Sequence, residues 1–146
     1  MALKLLRAAW FVSVLIVLAN LLYVYASLPQ SVVVQEEGGE VSLSREWVFY
    51  IATATILLVN VTVYVFKTMF LEKESLRAWF HGLVITMNIF IVIAMQALNV
   101  YNSAEVFDHS LAGLYLTGSL TLILLVAVSW PVYLLLQKIF IKEAVL

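Results

Sequence analysis

The chain contains no cysteine. That removes disulfide exchange, thiolate metal sites, c-type haem attachment and iron–sulfur clusters from its chemistry, and with them the quinone-linked disulfide oxidases, whose reaction needs cysteine pairs. Charge is scarce as well: Asp, Glu, Lys and Arg make up 12% of residues, against about a quarter in soluble globular chains. None of them falls in the central part of a long apolar run, where pumps and proton-coupled transporters need an ionisable relay. A small multidrug-type antiporter, which depends on a membrane carboxylate, is disfavoured on that ground. There is no glycine-rich phosphate loop, no metal-ligand spacing and no nucleophile beside a base. No catalytic residue, cofactor or nucleic-acid partner is therefore expected.

What remains is hydrocarbon. Hydrophobic residues make up 64% of the 146, and they gather in four runs, at about 5–28, 47–71, 79–100 and 111–141. Each can cross a hydrocarbon layer of about 30 Å as a helix of roughly 20 residues. Strand-like alternation over segments of about 10 residues, the mark of a membrane barrel, is absent. The expected fold is an all-α integral membrane protein, one membrane domain over 1–146, built as a four-transmembrane-helix bundle. Lys4 and Arg7 ahead of the first run, with Val24-Tyr25-Ala26 near its end, imitate a signal peptide. The run exceeds the usual apolar core of roughly 7–15 residues, so it is read as a signal-anchor helix.

Cations near span ends resist translocation. Lys4, Arg7, Lys67, Lys73, Arg77, Lys138 and Lys142 would share one side and Arg45 alone the other, so both termini are expected in the cytoplasm, the membrane being the cytoplasmic (inner) membrane of a bacterium. The outer side collects Glu36, Glu37, Glu40, Glu46, Glu105 and Asp108. Trp47 and Tyr101 outside, and Trp10 and Trp79 inside, suit rings at the headgroup levels.

The first outer connection carries the longest polar stretch. Val32-Val33-Val34 and Val41-Ser42-Leu43 flank Gly38-Gly39, which predicts a β-hairpin over 31–44 with a two-residue glycine turn. With the glycines central, Glu37 faces Glu40, Glu36 faces Val41, Gln35 faces Ser42 and Val34 faces Leu43. Val32, Val34, Val41 and Leu43 then form one apolar face. A lone hairpin is marginal in water, so this face should cap the bundle or dock on a partner, leaving the acidic tip exposed. Pro29 closes the first helix and Ser44 is expected to cap the second, with Glu46 in its first turn. Ser75 is expected to cap the third helix, and Asp108 or Ser110 the fourth.

Polar residues recur every seven positions inside the runs: Ser13, Asn20 and Ser27 in the first; Thr53, Asn60 and Lys67 in the second; His81, Asn88 and Met95, with Asn99 close by, in the third. Residues spaced by seven share a helix face. Amides in hydrocarbon need a partner, usually on a neighbouring helix, so Ser13, Asn20, Thr53, Asn60, Asn88 and Asn99 are expected to make interhelical contacts or to line a polar pocket. His81 is a weak candidate for an axial ligand or a bond to a quinone carbonyl, placed at the start of the third helix. It and His109 belong to opposite membrane faces and cannot share one haem. In the fourth run Gly113, Thr117 and Thr121, with Gly118 alongside, predict close helix packing of the small-xxx-small kind. Pro131 predicts a kink by leaving the Ala127 carbonyl without its amide.

Four helices with a β-like first outer loop also resemble claudin-type tetraspans in outline, but that family's cysteines and tryptophan motif are absent here. The functional expectation is a non-catalytic accessory or structural subunit of a larger energy-transducing, secretion or transport complex. Its partners would be membrane lipids and other integral membrane subunits, and homo-oligomers are allowed. The alternative is a free-standing module that binds a lipid, quinone or other apolar ligand; a channel or transporter protomer ranks third.

Overall fold

The computed structural model describes residues 2–35, 39, 41–70, 73–103 and 109–143. In chain order these form α1 (Ala2–Ser27), β1 (Ser31–Gln35), β2 (Val41–Ser44), α2 (Arg45–Met69), α3 (Glu74–Tyr101) and α4 (His109–Glu143). All four helices are long and apolar enough to cross a membrane. Several begin ahead of their apolar runs, α2 at Arg45-Glu46 and α3 at Glu74, because Glu and Arg sustain helix as well as Leu does.

Helix direction alternates. Trp10, Asn20 and Ser27 of α1 meet His81, Gln96 and Asn99 of α3 in the same order along the chain, so α1 and α3 run parallel. Tyr25 meets Phe49 and Trp10 meets Tyr64, which sets α2 antiparallel to both. Trp79 at the start of α3 meets Trp130 late in α4, so α4 is antiparallel to α3. Every cation but Arg45 consequently belongs to one end of the molecule, and the hairpin to the other.

The core is shared by α1, α2, α3 and β1: Val17, Leu21, Val24 and Leu28 pack with Val32, Ile56, Ile91 and Met95. The fourth helix stands apart. Its extensive contacts are with α3 alone, and only 6% of its most apolar window is buried, against 22% in α3. The assembly is thus a three-helix core with α4 docked on its hub helix. Leucine, valine and aromatic side chains stay exposed along α1, α2 and α4, an apolar surface far beyond the few hundred Å² that soluble monomers tolerate.

The hairpin forms, but not in the register the glycines predict. Val32 pairs with Leu43, Val33 with Ser42 and Gln35 with Val41, and Val34 is the extra residue of a bulge. The shift follows from packing. Val32 is fully buried in the core, which pins its position, and the bulge shifts the pairing by one residue between Val33 and Gln35. The expected four-residue apolar face is therefore split: Val32 is inside, Leu43 half-buried, and Val34 and Val41 are 40% and 48% exposed. Gly39 is exposed with φ +130°, a conformation for which glycine is the natural residue. Glu36, Glu37, Gly38 and Glu40 lie outside the described residues.

Ser44 caps α2: its Oγ accepts the Trp47 N–H at 3.4 Å, with Glu46 in the first turn. The long bond is worth less than an ideal cap, so Ser44→Ala should cost about 0.5–1 kcal/mol, read as a small fall in Tm in mild detergent. The cap of α3 differs from expectation. Lys73 holds the N-cap position without a side-chain bond, and Ser75 is already helical, because the Lys73 N–H bonds the Phe70 carbonyl and turns the chain early. Ser110 is likewise inside α4, and Asp108 lies outside the described residues.

Candidate functional site, a closed amide core and an open groove

Asn88 is 1% exposed and Asn60 8%. Their carboxamides pair reciprocally: Asn60 Nδ2 donates to Asn88 Oδ1 at 2.9 Å, and Asn88 Nδ2 donates to Asn60 Oδ1 at 3.1 Å. The remaining capacity is also used. Trp10 Nε1 donates to Asn60 Oδ1 at 2.9 Å, Asn60 Nδ2 reaches the Ile56 carbonyl, and Asn88 Nδ2 donates to Ser13 Oγ, which in turn donates to the Trp10 carbonyl. One network joins α1, α2 and α3 with almost every donor and acceptor satisfied, as a low-dielectric interior requires.

Two further tiers lie toward the hairpin. Gln96 donates its amide to Asn20 Oδ1, and Asn20 Nδ2 lies 4.0 Å from Met95 Sδ. Beyond that, Ser27 Oγ donates to Asn99 Oδ1 at 2.8 Å. The structure thus brings Ser13, Asn20, Asn60, Asn88 and Asn99 to interhelical bonds, and Thr53 stands apart, its buried hydroxyl unpartnered. The amides face one another at bonding distance, so no ligand fits between them. A space of about 20 Å³ lies among Leu21, Phe49 and Met95, too small for a ligand.

Trp10, Gln96 and Asn102 are partners that the sequence does not announce. The sequence places Trp10 and Trp79 at the headgroups, yet both indoles turn inward to bond: Trp10 to Asn60, and Trp79 Nε1 to the Val126 carbonyl at 2.6 Å. The spacing of Trp10 and Ser13 by three is a usable signal, since it sets the indole beside the polar stripe. Asn102 follows the last turn of α3 and acts on the hairpin. The Val33 N–H donates to its Oδ1 at 2.7 Å, and its Nδ2 donates to the Val33 carbonyl at 3.0 Å and to the Leu98 carbonyl at 3.0 Å. On the outer edge of β1 the carboxamide thus does what a third strand's peptide would do, and it covers the edge. At the other corner the Arg45 N–H bonds the Gln30 carbonyl at 3.0 Å, and the guanidinium lies 4.9 Å from the centre of the Tyr25 ring.

His81 is not at the start of its helix. It lies two turns in, 4% exposed, with Nδ1–H donating to the Arg77 carbonyl at 2.6 Å and the ring edge-on to Trp10. No group of three His, Asp or Glu able to hold a metal occurs among the described residues.

On α4, Ser119 is buried and Leu116, Ile123, Val126 and Trp130 are half-buried, which marks the face toward α3. Gly113, Thr117, Gly118 and Thr121 are exposed on the other faces, and nothing lies within 4 Å of a Cβ built on either glycine. The small residues do not serve the packing of α4 on α3; Trp79 does. Helix α4 continues through Pro131, and the Val126 carbonyl, in the turn the proline weakens, accepts from both Trp79 and Ser129. Trp79→Phe keeps a ring and removes one bond. It should lower stability by about 1 kcal/mol and raise amide exchange selectively in α4.

A sizeable hollow opens on the described surface. It holds about 470 Å³ and is walled by α2 from Leu57 to Met69, with Phe80 of α3 at its side. Phe66 stacks on Phe80 at 3.9 Å and 5°. Thr62 is its one polar residue, and that hydroxyl turns back to the Val59 carbonyl at 2.6 Å. Comparison with protein-family models, curated proteins and solved structures gives no match to this chain.

Proposed function

We propose that this chain is a non-catalytic subunit of a larger assembly in a bacterial cytoplasmic membrane, energy-transducing, secretory or transporting, and that it meets its neighbours through α4. The observation that carries the reading is the placement of that helix: 35 residues, docked on α3 alone, with Gly113, Thr117 and Thr121 on the side away from the bundle. Small residues let helix backbones approach closely, which is how helices associate where lipid removes the hydrophobic drive. Both termini are cytoplasmic on this reading, supported by the gathering of every cation but Arg45 at one end. Helix α4 is favoured over the hairpin as the docking element, because Val32 and Asn102 tie the hairpin to its own bundle.

That same self-sufficiency favours a second reading, a free-standing module whose ligand is apolar and reaches it from the bilayer. The two separate on purification from the native membrane in mild detergent, followed by mass spectrometry of everything retained. Stoichiometric partner proteins, lost on Gly113→Leu with Thr117→Leu, support the subunit. A lone chain or homo-oligomer carrying a specific small molecule overturns it.

A further inference from the structure

The hollow on α2 has a length, a lining and an end that belong together. From Leu57 to Met69 it follows about twelve residues of helix, roughly 18 Å at ~1.5 Å per residue, close to the roughly 15 Å of one leaflet's hydrocarbon. Its volume, about 470 Å³, is in the range of sites that hold small organic ligands, about 300–1,000 Å³. It occupies the half of the molecule that carries the cations. At that end Phe66 packs on Phe70, and the Lys73 N–H bonds the Phe70 carbonyl at 3.2 Å, which holds the Lys73 backbone next to the residue that follows the groove's last wall residue, Met69. Lys73 is exposed. Lys73 holds the N-cap position of α3, just ahead of the helix that carries Phe80 in the groove wall.

We infer that this groove is a binding site for one anionic phospholipid, with an acyl chain along Leu57 to Met69 and the headgroup at Lys73. The lining offers the occupant no hydrogen bond, since Thr62 is satisfied by its own helix, so an alkyl chain fits where a carbonyl or hydroxyl would go unpaired. A partner helix fits poorly: the walls are Leu, Val, Phe and Met, whereas close helix contacts use small residues, and those lie elsewhere, on α4. A basic group beside an interhelical apolar cleft at the headgroup level is the arrangement that selects anionic lipid. The inference rests on the bilayer-spanning reading and is independent of any partner subunit.

The test uses the full chain with phosphatidylglycerol and phosphatidylcholine of identical acyl chains, first in vesicles and then as competing lipids in native mass spectrometry from mild detergent. One phosphatidylglycerol should be retained with about fivefold preference, the worth of one Lys near an anionic surface. Lys73→Gln, at a position that makes no cap bond, should abolish the preference while retaining uptake. Val61→Trp should fill the groove and remove the retained lipid, with unchanged helicity by circular dichroism confirming the fold. Equal retention of the two lipids, or retention unaffected by Val61→Trp, overturns the site. Failure of the chain to float with vesicles of either lipid overturns the bilayer-spanning reading, and the site with it.

Discussion

Asn88→Ala should be the most damaging polar substitution in the molecule, lowering stability by about 2–4 kcal/mol. It removes both bonds of the reciprocal amide pair and the bond to Ser13, and it leaves one buried Asn60 amide hydrogen unpaired, while Trp10 and the Ile56 carbonyl keep their bonds to Asn60. Each bond between membrane helices is worth about 0.6–2 kcal/mol, and stranding a buried polar group adds its desolvation penalty. Asn60→Leu with Asn88→Leu tests the cause. Because the two amides bond each other, the double variant should be less damaged than the sum of the two single Leu variants. The expected coupling is about 1–2 kcal/mol in a double-mutant cycle of thermal unfolding in mild detergent. Additive losses would show that the pair contributes by packing alone.

The second large effect is expected at Asn102, and it should be local. Asn102→Ala removes both links to Val33 and the bond to Leu98, about 2–3 kcal/mol at roughly 1 kcal/mol each. Little of this should reach the helices, since the Ser13, Asn60 and Asn88 network is elsewhere. Hydrogen exchange at the Val33 amide should accelerate by roughly 30- to 150-fold, and protease should cut within 31–44 before any helix unfolds. Asn102→Asp separates the two bonds: its oxygen still accepts the Val33 N–H, but nothing donates to the Val33 carbonyl. An intermediate exchange rate is expected. An unchanged rate in both variants would mean that buried Val32 holds β1 by itself.

Apolar length and charge placement make the four helices legible in the sequence, because runs of Leu, Val and Ile have few alternatives to helix when so long. The cap at Ser44 is legible for a local reason: a hydroxyl before Arg45-Glu46 has one favourable use. The stripes of Ser13, Asn60 and Asn88 are legible as faces but not as partners. Spacing by seven says that residues share a side, not which neighbour lies there or at what height. Trp10 and Asn102 escape because an interfacial tryptophan and a loop asparagine have ordinary explanations that need no tertiary contact. The hairpin register fails for the opposite reason. A glycine pair is a strong local signal, yet burial of Val32 outweighs it, and even beyond the bulge at Val34 Gln35 pairs with Val41 where the glycines predict Ser42. On α4, Gly113 and Thr117 have the spacing of packing residues, but aromatic Trp79 and Trp130 take that contact and leave the small residues outward.

The amide network also dictates an order of events during synthesis. Asn60 leaves the ribosome 28 residues ahead of Asn88, an interval on the order of seconds at roughly 5–20 residues per second. During that interval the α1–α2 hairpin holds Ser13, Trp10 and Asn60 but lacks the reciprocal amide. Until α3 arrives, Asn60 is held by the Trp10 indole and by its own helix at Ile56, so α1 and α2 can pair early and the network closes only with Asn88. Helix α4 has no part in this network and can join last.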